Sequence, residues 1–409
     1  MTIDATPPRL LYVVSLFPCW SETFIVREIT GLIAAGADVR ILSLKAPHEK
    51  LVQPAAEALL PRARHPLGPA PAALARGRAI ATHPLSFASS LAQITRGLAH
   101  KPVDLAKSVE ALARGAEQLD WVRGFDPHVI HAHWGTFPST VAWALARVLD
   151  KPFGFTCHAH DIFVNDHLMK VKIESAAVPV TISRFNVEYL AQHVTPLARE
   201  RLEVVHCGVD LPAVSFKEGG REPGLILAVG RLDPIKGFDV LVDAIAILAK
   251  EGKRARVKLV GSGPLEGDLK ARIAQHGLGD SFQLVGALKE AEVRAALHEA
   301  SIFCLPSVVT STGDRDGIPV SLMEAMAAGT PVVSTRVSGI PELVDDGREG
   351  LLVPERDARA LARAIATLLD DPARGAAFAT EARKKVERDF DARVESKKMY
   401  DLFQRARRT

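Results

Sequence analysis

Two carboxylates, Asp316 and Glu324, bracket a short segment that could bind a phosphate and sugar hydroxyls together. Between them, Gly317 has no side chain and Pro319 has a fixed φ, and Pro is favoured in the first turn of a helix. Because residues 321–328 are good helix formers, Asp316 is predicted on a loop and Glu324 about one turn inside a helix. The helix N-terminus suits a phosphate, and carboxylates accept hydrogen bonds from hydroxyls. An ordinary strand–loop–helix joint with surface acids would have the same pattern.

A second candidate phosphate site follows the apolar run 225–230, which predicts a buried strand ending at Gly230. A turn carrying Arg231 and Lys236 comes next, and a helix is predicted over 238–250. Arg offers phosphate oxygens a bidentate fork, and Lys adds a point charge. At the carboxyl end of a parallel strand, both could neutralise a diphosphate leaving group as negative charge builds on it. The alternative is that both are ordinary solvated surface cations.

A weaker signal begins at Val257, where the pattern predicts a strand, a glycine turn and the start of a helix. The third glycine of this turn is Gly267, one residue too late for the dinucleotide-binding fingerprint. Gly261 and Gly263 remain candidates for a close approach of the backbone to a base or a phosphate.

Four histidines flank the ends of two predicted strands in the first half, namely His131, His133, His158 and His160. Imidazole is the commonest metal ligand, so a metal cluster is one interpretation. We prefer the alternative that some of them cap loops and one contacts substrate, with Asp161 orienting one of the rings.

Composition excludes several classes of protein. The 409 residues are 47% hydrophobic and 24% charged, as in an ordinary globular protein of two or three domains. A net charge of +3 is too small to indicate nucleic-acid binding. The four cysteines show neither a zinc spacing nor a disulfide framework, which favours a reducing compartment. Since neither a signal peptide nor an apolar run of roughly 20 residues is visible, we expect a cytoplasmic protein.

Short β-rich runs alternate with helix-like segments, which is typical of parallel sheets covered on both faces. Strands are predicted at 10–15, 39–44, 128–133, 153–158, 178–182, 202–207, 225–230, 257–261, 282–285, 302–305, 332–335 and 350–353. Further helices are predicted at 265–276, 290–299, 358–369 and 390–408. A joint rich in Gly, Pro and charge at 210–223 predicts two doubly wound, Rossmann-like α/β domains facing each other across a cleft.

Residues 54–125 differ from the rest, being Ala-rich, dotted with Arg and His, and short of β-branched residues. The stretches 61–66 and 74–79 predict helices with a basic face backed by apolar residues. Such a face could lie on an anionic membrane surface. We prefer the alternative that these helices pack on the first domain and that solvent surrounds their arginines.

Five landmarks in the second half resemble the donor-binding domain of retaining GT-B glycosyltransferases of family 4. They are Gly230-Arg-Leu…Lys236-Gly, Val260-Gly-Ser-Gly-Pro, Leu305-Pro-Ser, Asp316…Glu324-Ala-Met-Ala-Ala-Gly-Thr-Pro-Val-Val and Gly339-Ile-Pro-Glu-Leu-Val…Gly350-Leu-Leu-Val-Pro. The first half is similar to members that build exopolysaccharides such as colanic acid, at Phe17-Pro…Ser21-Glu-Thr-Phe-Ile, His131-Ala-His-Trp-Gly and Thr156-Cys-His-Ala-His-Asp-Ile-Phe. The resemblance implies a GT-B enzyme with an acceptor-binding domain at 1–212, a donor-binding domain at 213–388, and a final helix at 389–409 that crosses back to the first domain.

By this resemblance, Arg231 and Lys236 would grip the donor diphosphate and Glu324 the ribose hydroxyls. Asp316 would stand where the family has a glutamate that contacts the transferred sugar, and His158 would reach that sugar from the opposite domain. The catalytic candidates are therefore Asp316, Arg231, Lys236 and His158. The further candidates are Gly230, Gly261, Gly263, Gly317, Ile318 and Val320 on the donor side, and Ser21, Glu22, Thr23, His133 and His160 on the acceptor side.

The sequence departs from the family pattern at two positions of the donor loop. Asp316 is one methylene shorter than the usual glutamate, so its carboxylate reaches less far, and Pro319 replaces a glycine and removes one N–H donor. Asp314-Arg-Asp316 has the spacing of the metal-binding Asp-x-Asp of the other large glycosyltransferase fold. Arg231 and Lys236 can neutralise the negative charge that a metal ion would otherwise neutralise. We therefore expect no metal, and we expect no cofactor.

The resemblance thus predicts a retaining hexosyltransferase that moves a sugar from a UDP- or GDP-linked donor. The acceptor would be a hydroxyl on a growing, lipid-linked exopolysaccharide or cell-surface glycan, and residues 54–125 could contact the cytoplasmic face of the inner membrane. No nucleic-acid partner is expected. The alternatives are a nucleotide-sugar 2-epimerase of the same architecture and a non-catalytic GT-B binding protein. The short Asp316 favours the last alternative, and the intact Arg231, Lys236 and Glu324 disfavour it.

Overall fold

The computed structural model describes residues 6–20, 22–47, 52–164 and 168–408. The chain divides into two compact units. The first unit is formed by Met1–Cys207 together with Ala392–Thr409, and the second by Gly208–Asp391. The sequence had placed the two boundaries at 212 and 388.

A seven-stranded parallel sheet forms the centre of the first unit within the described ranges. Its strands are β1 (Arg9–Leu16), β2 (Asp38–Lys45), β3 (Ala63–Arg64), β4 (Val129–His133), β5 (Phe153–Cys157), β6 (Val178–Thr181) and β7 (Glu203–Val204). Their order is β3-β2-β1-β4-β5-β6-β7, so the direction of the crossovers reverses between β1 and β4. Every residue of β4 and β5 is buried, as expected where helices cover both faces of a sheet.

Helices lie on both faces of this sheet. They are α1 (Thr23–Ala34), α2 (Pro54–Glu57), α3 (Pro69–Thr82), α4 (Pro84–Leu98), α5 (Pro102–Ala116), α6 (Leu119–Phe125), α7 (Phe137–Leu149), α8 (His160–Phe163), α9 (Met169–Ser175), α10 (Arg184–His193) and α11 (Ala198–Arg201). Successive side chains of a strand point to opposite faces. Leu11 and Val13 of β1 accordingly join a core with α7, whereas Leu10 and Tyr12 join a second core with α1.

The prediction of a helix over 61–66 is wrong. Part of this stretch lies in a 3₁₀ turn, Leu60–Arg62, and the next two residues form β3. Ala63 and Arg64 pair with β2 at the edge of the sheet, where the β2 backbone would otherwise lack partners. Pro66 also disfavours helical geometry at the residue before it.

The helices α3, α4 and α5 pack on the first unit, in agreement with the preferred interpretation of this region. Phe87 and Ile94 of α4 are buried in the core that contains α7. The expectation that solvent surrounds the arginines of this region is wrong for Arg76. Its guanidinium forms an ion pair of 2.8 Å with the buried carboxylate of Glu117.

A six-stranded parallel sheet forms the centre of the second unit. Its strands are β8 (Glu222–Val229), β9 (Arg256–Val260), β10 (Phe282–Gly286), β11 (Ala300–Leu305), β12 (Val332–Thr335) and β13 (Leu351–Val353). The order β10-β9-β8-β11-β12-β13 places the reversal of the crossovers between β8 and β11. Its helices are α12 (Phe238–Lys250), α13 (Glu266–Gln275), α14 (Glu290–Glu299), α15 (Val320–Ala327), α16 (Ile340–Leu343), α17 (Ala358–Asp370) and α18 (Pro372–Asp389), with 3₁₀ turns at Leu211–Ala213 and Pro234–Lys236.

The α/β class predicted from the sequence is confirmed for each unit. All twelve predicted strands are present, and their ends differ from the prediction by three residues at most. Helices α12 and α14 have the predicted bounds. None of the helices in the described ranges combines the length and the apolar character that crossing a bilayer requires.

The last helix, α19 (Ala392–Ala406), belongs to the first unit although it follows the second in sequence. Its apolar face, which includes Met399 and Phe403, enters the same core as Tyr12. The Phe403 ring lies 6.2 Å from the Tyr12 ring and 5.1 Å from the His131 ring, measured between centroids. The C-terminal segment therefore completes the first unit.

We predict that Phe403→Ala destabilises the protein by about 3–5 kcal/mol, because the ring is fully buried and its removal leaves a cavity. Urea unfolding of the full chain, followed by circular dichroism, would measure this loss. Val394→Ala in the same helix is the matched control, since Val394 is 45% exposed. Equal effects of the two substitutions would contradict the packing described for α19.

Candidate functional site

In the second unit, the strongest candidates lie where two central strands end and the crossovers reverse direction. Lys236 follows β8 and Asp316 follows β11, and these two strands are neighbours in the sheet. Ligands of open parallel sheets bind at this place, because the loops leaving the two strands diverge. The sheet therefore brings together two residues that are 80 positions apart in the sequence.

Lys236 and Asp316 form a direct ion pair. Lys236 Nζ lies 2.6 Å from Asp316 Oδ1, and Ser307 Oγ donates a hydrogen bond of 2.6 Å to Asp316 Oδ2. The side chains of Lys236 and Asp316 are only 15% and 10% exposed. Burying either charge alone would be costly, so each one stabilises the other. Ser307 is not among the site residues predicted from the sequence, although it lies two residues after a predicted strand, in the Leu305-Pro-Ser landmark.

The helix that follows Asp316 begins as predicted to within one residue. Pro319 lies immediately before α15 rather than in its first turn. Glu324 lies about one turn inside α15 and is half-buried. Ser321 Oγ donates to the carbonyl oxygen of Val229 at 3.1 Å, which ties the start of α15 to the end of β8. The side chain of Ile318 is buried in the core, so its backbone is the part that can face a ligand.

Arg231 does not join the Lys236–Asp316 pair. Its guanidinium lies 2.7 Å from the carboxylate of Asp233, and 64% of its side chain is exposed. That Arg231 and Lys236 bind one diphosphate together stays a prediction.

The glycines after β9 are needed for the packing of two loops. A Cβ at Gly261 would lie 1.9 Å from the Gly230 carbonyl oxygen, and the φ of Gly261 is +146°. A Cβ at Gly263 would lie 2.5 Å from the Leu232 carbonyl oxygen. The loop after β9 therefore rests directly on the loop that carries Arg231. Contact of these glycines with a donor also stays a prediction.

In the first unit, the candidates lie at the corresponding edge of the sheet, around the reversal between β1 and β4. Glu22 immediately precedes α1 and accepts a hydrogen bond of 3.0 Å from Trp134 Nε1. Thr23 begins α1, whereas His160 begins α8 and is exposed. Ser21 lies outside the described residues.

Asp161 holds the backbone of His158 and Gly135 in place, and it does not orient a histidine ring as the sequence had suggested. Its carboxylate accepts hydrogen bonds from the backbone N–H groups of His158 at 3.0 Å and Gly135 at 2.5 Å. Burial raises the pKa of Asp161, although these hydrogen bonds oppose the shift. The loops after β4 and β5 are thereby held together by one buried carboxyl group.

His158 ends a buried chain of polar side chains. Its Nε2 lies 3.1 Å from Nδ1 of His133, and Nε2 of His133 lies 3.2 Å from Glu28 Oε1. Tyr12 donates its hydroxyl proton to the same Glu28 oxygen at 2.6 Å. Glu28 is not among the residues predicted from the sequence, although it lies on the apolar face of α1 beside Ile29. The available signal was a single acidic residue on the apolar face of a predicted helix-like segment, where it is half-buried.

Glu28, His131 and His133 offer ligand-type atoms within 4.8 Å of one another. Hydrogen bonds already occupy both ring nitrogens of His133 and the Glu28 oxygen that faces it. Burial and repulsion by His133 lower the pKa of His131 to about 3, so this ring is neutral. His131 Nδ1 has no hydrogen-bond partner in the part of the chain that the structure describes, and it faces Gly154. This arrangement suits a hydrogen-bonded group better than a set of metal ligands.

Two family models match separate stretches of the chain. The model described as Glycosyltransferase Family 4 matches residues 21–212, and the model described as Glycosyl transferases group 1 matches residues 223–371. Together they cover both units and most of the sequence.

The chain is also similar to the Escherichia coli K12 glycosyltransferase WcaL, which is named for colanic acid biosynthesis. The two are 42% identical over 209 residues, which make up 50% of this chain and 52% of WcaL. This chain therefore spans about half the length of the curated relatives that it matches.

Solved structures with the same fold cover nearly the whole chain. Sucrose-phosphate synthase from Thermosynechococcus elongatus superposes with a TM-score of 0.73 at 21% identity, over 98% of each chain. The Anabaena protein HepE, solved in complex with UDP-glucose, superposes with a TM-score of 0.69 at 16% identity, over 96% of this chain and 98% of HepE. At these identities the likeness establishes the fold, which is GT-B.

We predict that Gly261→Ala destabilises the second unit by roughly 2 kcal/mol or more, because the new methyl group would overlap the Gly230 carbonyl and φ is unfavourable. Thermal unfolding would measure the loss. Gly267→Ala is the matched control, since the space around Gly267 is open and it lies in α13, where Ala favours the helix. A neutral Gly261→Ala would show that the two loops do not pack as described.

Proposed function

The chain belongs to the group 1 glycosyltransferases of family 4, and from this membership we propose that it transfers a sugar from a nucleoside diphosphate sugar to a hydroxyl group of a glycan. The observation that carries the proposal is the buried Lys236–Asp316 pair at the point where the crossovers of the second sheet reverse. A cation held at this place is suited to stabilise a departing diphosphate.

The ion pair gives Lys236 a fixed position before any ligand binds. Asp316 orients the ammonium group through Oδ1, and Ser307 fixes the carboxylate through Oδ2. A preorganised cation needs little rearrangement when negative charge develops on the leaving group. Each Asp316 oxygen also retains a lone pair that can accept from a sugar hydroxyl. The shorter side chain of Asp316 therefore suits two roles, holding Lys236 and contacting the transferred sugar.

Arg231 is the second cation of this proposal. Its exposed guanidinium can leave Asp233 and bind the diphosphate in a bidentate manner, since surface ion pairs are weak. Glu324, one turn inside α15, would accept hydrogen bonds from the ribose hydroxyls. With two cations on the diphosphate, the proposed reaction requires neither a metal nor a cofactor.

We propose that transfer retains the configuration at the anomeric carbon. The bond from that carbon to the diphosphate oxygen breaks, and the acceptor oxygen bonds to the carbon on the same face. The departing phosphate oxygen takes the proton of the acceptor hydroxyl, so no nucleophile from the protein is needed. The resemblance to retaining enzymes supports this stereochemistry.

The comparisons support the class of donor and the class of acceptor. HepE, which shares the fold, was solved with UDP-glucose, in keeping with a UDP- or GDP-linked donor. WcaL is named for the biosynthesis of colanic acid, in keeping with a growing glycan as the acceptor, and we propose that this glycan is lipid-linked.

We predict that Lys236→Met lowers kcat on the order of 100-fold, or about 3 kcal/mol, and changes donor affinity little, because the charge matters most in the transition state. Release of nucleoside diphosphate from a panel of UDP- and GDP-sugars, with and without glycan acceptors, gives kcat. Calorimetry gives the affinity. Lys270→Met is the matched control, with a lysine that is 62% exposed on α13.

Wild-type turnover in the Lys236→Met enzyme would refute the role of Lys236. A sugar nucleotide altered by the wild-type protein without an acceptor would identify an epimerase instead of a transferase. Binding of donors without any turnover would indicate a binding protein.

We further propose that the outer side of α3 and α4 rests on the cytoplasmic face of the inner membrane. Leu74, Ile80 and Leu85 are 77%, 51% and 84% exposed. Residues 58–103 contain no acidic residue, whereas Arg and Lys recur throughout. Exposed apolar side chains in a stretch that contains basic but no acidic residues suit an interface with anionic lipids.

We predict that the double variant Leu74→Ser/Leu85→Ser binds anionic vesicles about thirtyfold more weakly, from a loss of roughly 1 kcal/mol for each side chain. Sedimentation with phosphatidylglycerol-containing vesicles measures this binding. Leu197→Ser, at a leucine that is 40% exposed elsewhere in the first unit, is the control. Equal binding by all three proteins, or equal binding to neutral vesicles, would contradict the proposed contact.

A further inference from the structure

The hydrogen-bonded chain Tyr12–Glu28–His133–His158 connects four elements of the first unit. Tyr12 lies in β1, Glu28 in α1, His133 at the end of β4, and His158 directly after β5. The three contacts measure 2.6, 3.2 and 3.1 Å in that order. His133 and His158 are 1% and 4% exposed, so water cannot readily take the place of these partners.

The protonation states of the first two members fix the direction of their hydrogen bonds. Burial and the adjacent carboxylate raise the pKa of Tyr12 well above its ordinary value, so the phenol keeps its proton. Burial by itself would raise the pKa of Glu28, but attraction to His133 and hydrogen bonds from His133 and Tyr12 hold it below its ordinary value. Glu28 is therefore a carboxylate and only accepts. Both Tyr12 Oη and His133 Nε2 must donate to it.

The direction of the next hydrogen bond follows from the first. A neutral imidazole carries one proton. When His133 is neutral, which is the state that this argument concerns, this proton is on Nε2, so Nδ1 has only a lone pair and accepts from Nε2–H of His158. Burial, with the neighbouring His133 and His131, lowers the pKa of His158 well below its ordinary value, so His158 is also neutral. Its single proton is on Nε2, and its Nδ1 carries a lone pair.

In the surroundings of His158, Nδ1 is the ring nitrogen that can accept a hydrogen bond from a ligand. No group in the described ranges hydrogen-bonds this nitrogen. The ring packs against Phe24 and Trp134, with centroid distances of 4.8 and 4.6 Å, so these two side chains restrict its motion. Asp161 fixes the backbone of the same residue.

We propose that Glu28 is a positioning residue that acts through His133 to hold His158 as the Nε2–H tautomer, so that Nδ1 accepts a hydrogen bond from a sugar hydroxyl of the substrate. The identity of the substrate as a sugar rests on the proposed function. The arrangement also implies specificity. A bare ring nitrogen attracts a hydroxyl donor and repels an acceptor-only group, so neutral sugars are favoured over sugar acids at this contact.

Nitrogen-15 NMR of the histidine-labelled full chain tests the tautomer without any substrate. The expected wild-type spectrum shows His158 protonated at Nε2 and bare at Nδ1. Glu28→Leu removes the acceptor that orients His133, so His158 should populate both tautomers. Glu28→Gln keeps an oxygen that accepts from Tyr12 and His133, and should restore the Nε2–H form. His133→Phe preserves a stacked ring, in case Glu28→Leu fails to fold, and should also release the tautomer.

A wild-type His158 protonated at Nδ1, or an unchanged tautomer in both Glu28→Leu and His133→Phe, would overturn the proposal. Equimolar Zn²⁺ that shifts the ring nitrogens of His131 and His133 together would also overturn it, in favour of a metal site.

Kinetics separate this inference from the proposed function. Glu28→Leu should lower transfer to neutral sugars roughly tenfold, as expected for the loss of one oriented hydrogen bond, and Glu28→Gln should recover most of it. Full activity of Glu28→Leu would overturn the positioning role. A wild-type protein without transferase activity on any donor would overturn the proposed function, and the NMR spectra would still decide the tautomer.

Discussion

All strands of a parallel sheet end at the same edge, and the chemistry of this protein depends on that constraint. The crossovers reverse between β1 and β4 in the first unit and between β8 and β11 in the second. At each reversal, loops from neighbouring strands diverge and leave room for polar side chains. Lys236 and Asp316 meet across one such edge, and Glu28 and His133, which are 105 positions apart, meet near the other. Each unit thus builds its own polar site by the same topological means.

A carboxylate held by hydrogen-bond donors is the second common feature of the two sites. In the second unit, Asp316 neutralises Lys236 and is itself held by Ser307. In the first unit, Glu28 accepts from Tyr12 and His133. Buried charges without such partners would destabilise the fold by several kcal/mol, so the hydrogen bonds that stabilise each unit are also those that orient its functional groups. A site of this kind is formed before substrate binds.

The sequence was informative wherever a signal is local. Apolar runs predicted twelve strands, and the helix-forming residues after Pro319 predicted α15. Both signals are local, because the hydrophobic pattern of a strand and the intrinsic propensity for a helix are properties of a few consecutive residues. The edge strand β3 was missed, since a two-residue pairing depends on the free edge of β2 and not on its own composition. Glu28 was missed for a similar reason. Its partners on β1 and β4 are distant in sequence, and only their packing around α1 gives the carboxylate a role.

The sequence by itself determined the fold class, the family and the identity of the charged residues at the strand ends, because these follow from residue type, short spacing and motif. Only the tertiary structure decided which charges meet. In the structure Lys236 forms its ion pair with Asp316, whereas Arg231 forms one with Asp233. Asp161 accepts a hydrogen bond from the backbone of His158 and not from a histidine ring. The tertiary structure also joined Tyr12, Glu28 and His133 to His158. Such pairings depend on distances of a few ångströms between loops of different strands, and sequence spacing does not encode these distances.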